Sequence, residues 1–339
     1  MEFYYYEHMN KMQQNACHAM KTGILSLADS FLVPRMMPGE LADIFFQLRL
    51  DCPEIFWATG FRYRDYPDSG NLQVLPEYLF EKSKIKEHQK NMRARVEKLA
   101  RQARGLGEWE KEKYIHDFIC ENVRYDKLKK AYSHEIIGPL GHGVGVCEGI
   151  AKAVKVLCDA LGIWCIIGIS EANPDRGIRY RHAWNVVRIE GKYYHLDATF
   201  DLSVSGQEIR YDYFNLDDRK VFRDHEPALM PLPPCTDGSR FYYLEKKLSF
   251  TKYEDIENRA CQAVKKNRAF TFHWRGSYLT REVLGELMKI LEGCAAKKGR
   301  HVSVSLNWPQ AVLRATFPEG ESTEASLVFE EANEGEQDG

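Results

Sequence analysis

Residues 181–199 read RHAWNVVRIEGKYYHLDAT, and this stretch decides how the middle of the chain folds. Two runs rich in β-branched and aromatic residues, Arg181–Ile189 and Lys192–Thr199, meet at Glu190-Gly191. Such runs joined by two residues that end in glycine predict a β-hairpin. With Glu190 and Gly191 as the turn, Ile189 faces Lys192 and the register follows. One face then carries His182, Trp184, Val186 and Arg188 beside Tyr193, His195, Asp197 and Thr199. The other carries Ala183, Asn185, Val187 and Ile189 beside Lys192, Tyr194, Leu196 and Ala198. This second face is the more apolar and is expected to meet the core. His182 and Asp197 fall diagonally on the first face, about 7–8 Å apart at the backbone, a gap one imidazole–carboxylate hydrogen bond can close. A base with its orienting carboxylate makes two members of a nucleophile–base–orienter set. His195 shares that face and competes for the role of base.

The third member is sought upstream. GPLGHGVG, residues 138–145, is a glycine-rich loop, and Cys147 follows it at the start of an amphipathic stretch. Ile150, Val154, Leu157, Cys158 and Leu161 form the stripe of a helix from Cys147 to Leu161, and Gly162 takes the C′ position. A helix N-terminus supplies a positive dipole end and N–H groups without intrahelical partners. Both favour the thiolate, the reactive form of cysteine. The same N–H groups can hold a developing oxyanion. A metal reading, with Cys147, His182 and His195 as ligands, finds no supporting local spacing. On residues alone, His182 and His195 stay open as the base.

Three motifs stand in order: Gly145-Val-Cys147-Glu-Gly149, His182-Ala-Trp-Asn185 and Tyr194-His-Leu-Asp197-Ala-Thr199. Together they resemble the core of the transglutaminase-like superfamily, which has a papain-like Cys-His-Asp fold. Asn122-Val-Arg-Tyr-Asp126 and Tyr211-Asp-Tyr-Phe-Asn215 fit the bacterial branch of that family. The resemblance covers about residues 106–225. It implies Cys147 as nucleophile, His182 as general base and acid, and Asp197 as orienter, with Trp184 as a wall of the substrate pocket. It implies acyl transfer from a protein or peptide amide through a thioester. The acceptor is water in a protease or deamidase and an amine in a transglutaminase, and hydrolysis is the first expectation. The alternative is a catalytically idle transglutaminase-like fold used as a binding or assembly module. Nothing resembles the acidic calcium sites of animal transglutaminases. The expectation is therefore no metal and no other cofactor.

Around this core the chain has 339 residues, 44% hydrophobic and 28% charged, with a formal net charge of -2. These values suit a globular protein of about two domains. They exclude a collagen-like chain and wholesale disorder, and leave no global field for nucleic acid or membrane. Nine cysteines without a CxxC pair argue against zinc ribbons and thioredoxin-like motifs. Reduced, mostly buried thiols are expected, with Cys261 and Cys294 as ordinary core or surface residues. MEFYYYEHMN shows no secretory signal, the longest apolar run is Ile163–Ile169, and the expected location is the cytoplasm.

The fold class expected is α+β: a papain-like core of helices on an antiparallel sheet, with further units on either side. Residues 1–105 are expected to be mainly helical, with 53–80 irregular apart from a short strand near Ile55–Ala58. The helix 82–104 carries nine Lys or Arg and should pack through Met92, Val96, Leu99 and Ala103 with its charges solvated. Residues 106–230 form the catalytic core. Leu232–Ser239 has linker chemistry. Residues 235–318 form a small α+β domain, opening with a strand at Phe241–Leu248, that does no chemistry and covers the cleft or docks a partner. Residues 319–339 are acidic and expected to be disordered. No oligomeric state is readable.

Overall fold

The computed structural model describes residues 3–66, 68–176, 178, 180–206, 208–319 and 326–330. The chain opens with α1 (Tyr4–Glu7) and α2 (Lys11–Leu25), the latter started by a capping box between Asn10 and Gln13. Then come β1 (Phe31–Pro34) and α3 (Pro38–Asp51), whose proline sits at the first helical position. Residues 53–80 are more regular than expected. β2 (Ala58–Asp65) and β3 (Asn71–Tyr78) pair antiparallel, and β1 adds to β3, giving the order β1-β3-β2. β2 exposes or half-exposes everything after Ala58, so it lacks the apolar alternation that announces a strand. α4 (Lys82–Ala103) buries Ile85, Met92, Leu99, Ala100 and Ala103. Val96 is half-buried, as are Lys82 and Arg95, and the other seven basic residues are exposed.

The core follows with α5 (Glu108–Asn122), the two-residue strands β4 (Arg124–Tyr125) and β5 (Val144–Gly145), and α6 (Cys147–Leu161). Within the expected loop, Gly138–His142 makes one π-helical turn. β6 (Trp164–Ser170), β7 (His182–Ile189) and β8 (Lys192–Leu196) lead to α7 (Ala198–Val204), β9 (Phe214–Leu216) and α8 (Asp218–Val221). β6, β7, β8 and the short β9 form an antiparallel sheet in the order β6-β7-β8-β9. Ile189 faces Lys192 as the hairpin reading requires. Glu190 (φ 50°) and Gly191 (φ 81°) both take positive φ, the signature of a type I′ turn.

Val187, Ile189, Tyr194 and Leu196 join Ile150, Val154 and Leu157 of α6 in the main hydrophobic core, which also takes in the N-terminal helices. The opposite face is closed as well: Cys235 packs over Ile166 and Val186 and is fully buried. The proline-rich segment 231–235 therefore lies against the sheet. β8 stops at Leu196 rather than Thr199, because the Asp197 carboxylate turns back to cap α7.

The C-terminal unit comprises α9 (Tyr242–Glu245), β10 (Ser249–Phe250), α10 (Tyr253–Lys265), β11 (Phe270–Trp274), α11 (Arg281–Ala296), β12 (Ser303–Asn307), β13 (Val312–Thr316) and β14 (Ser326–Phe329). Its sheet runs β10-β11-β13-β12-β14 around a separate hydrophobic cluster. Three expectations change here. Phe241–Leu248 is not a strand; Phe241 and Tyr243 are buried in the main core, and the chain turns at Lys247 (φ 55°). The acidic tail is ordered at β14, which pairs parallel with β12; residues 320–325 and 331–339 lie outside the described residues. Cys261 and Cys294 are joined in a disulfide between α10 and α11. Among the described residues no helix is long and apolar enough to cross a membrane.

Candidate active site

Cys147 is the first residue of α6 and is 9% exposed. It lies in a cleft of about 250 Å³ whose walls include Phe46, Tyr125, Lys129, His134, Arg181 and His182. Local chemistry fixes the helix end there. Asp126 accepts from the backbone N–H groups of Leu128 and Lys130, and from the Ser133 hydroxyl, which shapes the loop before the cleft. That loop seats α6: the Val146 N–H donates to the Ser133 carbonyl at 3.1 Å. A Cβ on Gly149 would lie 2.1 Å from the same carbonyl oxygen, so only glycine allows the loop this close.

His182 begins β7 on the same cleft, and Asp197 lies just beyond the end of β8. Their diagonal placement on the sheet brings His182 Nε2 to 2.6 Å from Asp197 Oδ2. The other Asp197 oxygen accepts the Thr199 and Phe200 N–H groups at 2.9 and 3.0 Å. Burial pushes the Asp197 carboxyl up, but the charge and hydrogen bond of His182, then those of His225, outweigh it. They hold it well below the usual carboxylate range. An ionised Asp197 only accepts, so His182 carries its proton on Nε2 and keeps Nδ1 as the basic nitrogen.

His195 is committed elsewhere. The Trp184 indole, which can only donate, gives its Nε1–H to His195 Nδ1 at 3.0 Å. His195 Nε2 then donates to Asp218 Oδ1 at 2.9 Å. Burial lowers this imidazole's pKa despite Asp218, so it stays neutral with both nitrogens used. Trp184 does not wall the cleft. It is 1% exposed, opposite Gly168 on β6, and its ring lies parallel to that of His182 at 6.0 Å. Its proximity to His182 in sequence does not make it a cleft residue, because the indole is held behind that ring by His195.

Sequence reasoning missed His225. This buried histidine places Nε2 2.9 Å from Asp197 Oδ2 and Nδ1 2.8 Å from Asp224 Oδ1. It comes from an irregular segment with no periodicity to mark it. Among the described residues, His182, Asp197 and His225 cluster closely enough to hold a metal ion, as do His195, Asp218 and Cys235. In both clusters ring nitrogens are engaged with carboxylate oxygens. The third cluster, Glu257 with Cys261 and Cys294, contains the disulfide.

Residues 93–198 match the family model of the transglutaminase-like superfamily. This stretch is a transglutaminase-like core. It runs from the middle of α4 to the first residue of α7 and contains Cys147, His182 and Asp197. Three solved structures resemble the chain at low identity. One is a transglutaminase: 11% identity, TM-score 0.29, covering 46% of this chain and 48% of that one. A second is a candidate cysteine protease from Cytophaga hutchinsonii, with 18% identity, TM-score 0.27, and 41% and 61% covered. A third is a candidate protease from Parabacteroides distasonis, with 14% identity, TM-score 0.26, and 41% and 36% covered. The chain thus spans less than two thirds of each. No curated protein matches it.

Proposed function

We propose that this chain is a cysteine-dependent enzyme that transfers the acyl group of a protein or peptide amide through a thioester. The observation that carries the reading is the buried His182–Asp197 hydrogen bond at the wall of the cleft that holds Cys147. The transglutaminase-like core supports it at the level of the family. In this reading His182 Nδ1 takes the Cys147 proton, and the thiolate sulfur bonds to the amide carbon. The first-turn N–H groups of α6 face the oxyanion. Collapse breaks the C–N bond, and the leaving amine takes the proton from His182. Water, activated by the same nitrogen, then attacks the thioester and releases the acid and Cys147; an amine in its place gives transamidation. Hydrolysis is the reaction we propose. The cytoplasm is the proposed location: seven free cysteines suit a reducing compartment, and the single Cys261–Cys294 disulfide is the observation that runs against it.

The test is to trap the acyl-enzyme with a peptide amide library and read the adduct by mass on Cys147. Iodoacetamide at pH 6 should also label Cys147 faster than the other free thiols. No adduct together with a slow Cys147 would leave the idle binding module as the better reading.

A further inference from the structure

His225 is a fully buried ring held at both nitrogens by carboxylates. Its charge follows from counting protons. Asp197 receives two backbone N–H groups on Oδ1 and the His182 Nε2–H on Oδ2. Asp224 receives the Tyr213 hydroxyl at 2.7 Å and the Gln310 amide at 3.2 Å, both on Oδ2. Asp197, with donors on both oxygens, is an ionised acceptor, and Asp224, a carboxylate with its two other donors on Oδ2, turns Oδ1 to His225. Each can face a His225 nitrogen only if that nitrogen donates. With Nδ1 and Nε2 both donating, the ring is an imidazolium between two anions. This is the compensation a buried charge requires. The raised pKa of His225 agrees: burial lowers it, and Asp197 and then Asp224 more than reverse that.

The remaining surroundings are the aromatic rings of Phe200, Trp184 and Tyr213, and the His182 ring with its centroid 5.2 Å away. Of the charged or titratable groups, Asp197 and Asp224 touch His225 directly, His182 and Tyr213 lie beside it, and His195 feels its charge.

The contact with Gln310 gives this cluster a second meaning. Gln310 belongs to the turn between β12 and β13 of the C-terminal unit, yet it is completely buried. Its amide also donates to the Lys220 carbonyl at 3.2 Å. At the end of β12, Asn307, equally buried, donates to Asp212 Oδ2 at 3.0 Å. The unbroken path is Gln310 to Asp224 to His225 to Asp197 to His182.

We propose that His225 is a positioning residue of the site, a fixed imidazolium that holds Asp197 on His182, and that Gln310 makes this hold depend on the C-terminal unit. The proposal rests on the reading of Cys147, His182 and Asp197 as the reacting set. It assigns the C-terminal unit a part in the competence of the site rather than a cover over it.

Two consequences differ in kind. The positive charge of His225 offsets that of Asp197 and keeps the His182 imidazolium from being over-stabilised. Removing it in His225→Gln, which can still donate one hydrogen bond, should raise the pH at which His182 titrates by about two units, given a unit charge some 5 Å away at an effective dielectric near 20. A side chain that only filled space would slow the reaction without moving that pH. Gln310→Met leaves the charge in place and loosens Asp224, so Cys147 alkylation should slow about tenfold with its pH profile in place.

The experiment uses the full chain. Ring ¹⁵N NMR of labelled histidines, with His225 assigned through its contacts to Phe200 and Trp184, should show both His225 nitrogens protonated and untitrating from pH 6 to 9. The His182 ring should shift its titration in His225→Gln, and its Nε2 proton should change environment in Gln310→Met. Iodoacetamide rates at Cys147 across pH report the same events. A neutral His225 in the wild-type chain overturns the proposal even if both variants fail to fold. So does a Gln310→Met chain with unaltered His182 signals and Cys147 rates. A slow wild-type Cys147 with the His225 signature intact would instead overturn the acyl-transfer reading and leave the clamp standing.

Discussion

Asp197→Asn is the substitution whose outcome the geometry constrains most tightly. Asp197 Oδ1 faces two backbone N–H donors and Oδ2 faces two imidazole nitrogens. An Asn amide has one acceptor end and one donor end. With its nitrogen toward the histidines it meets two ring N–H groups. With its nitrogen toward α7 it meets the Thr199 and Phe200 N–H groups. Either way two of four hydrogen bonds become donor–donor contacts, and the buried His225 cation loses one of its two counter-ions. At about 1.5–3 kcal/mol per charge-assisted bond, the loss of stability is about 3–6 kcal/mol. His182 can escape by moving its proton to Nδ1, but it then has no basic nitrogen for Cys147. Turnover should fall about 10³–10⁴-fold, the scale of the equivalent change in a Ser-His-Asp triad. Urea unfolding gives the first number and iodoacetamide labelling of Cys147 across pH the second. An unfolding midpoint within experimental scatter of the parent, with an unchanged labelling profile, would refute both the proton assignment and the role of Asp197.

Glu112 is fully buried, and burial raises its carboxyl to about 8, against the lesser pull of its Asn215 hydrogen bond and of His116. The raised value means stability is complete below the unfolded pKa near 4.5 and falls as pH climbs towards 8. At pH 7 the loss is about 3 kcal/mol by linkage. Glu112→Gln keeps an oxygen for Asn215 and should flatten the pH dependence of urea stability across that window; a slope equal to the parent's would count against a protonated Glu112. Gly149→Ala pushes a Cβ against the Ser133 carbonyl. It should cost about 1–3 kcal/mol of overpacking despite alanine's better helix propensity, and slow the labelling of Cys147 as the helix end shifts. Ending the chain at Pro234 removes Phe241, Tyr243 and Val312 from the main core. Calorimetry should show loss of the cooperative transition, whereas an intact transition with a fast Cys147 would show that the core stands alone.

The hairpin was legible because every determinant is local. Alternation sets the faces, Glu190-Gly191 sets the turn, and a two-residue turn leaves one register. The helix behind Cys147 was legible for the same reason, with its apolar stripe closed by Gly162 at φ 75°. Elsewhere the deciding partner is remote. β14 is a strand only because β12 offers it an edge, and its own residues are mostly exposed. The pairing of Cys261 with Cys294 depends on how α10 packs on α11, which spacing alone does not report.

His225 shows the limit most clearly. No helical or strand period runs through residues 222–230, and a histidine beside Asp224 reads as surface chemistry. Burial turns that pair into a fixed link of a hydrogen-bond chain: once no water is present, each carboxylate must find donors within the protein, and each donor's proton is then fixed by what it faces. Tyr213 shows the same inversion. In sequence it is one aromatic of the Tyr211–Asn215 motif, while in the fold its hydroxyl donates to Asp224 Oδ2. Local sequence therefore places Cys147, His182 and Asp197, the residues proposed to react, on their elements or at an element end. The protonation proposed for His182 rests on Asp197, which takes backbone N–H groups of α7 and the ring of His225 from the segment after α8, while Gln310 of the C-terminal unit reaches Asp224 one step further on.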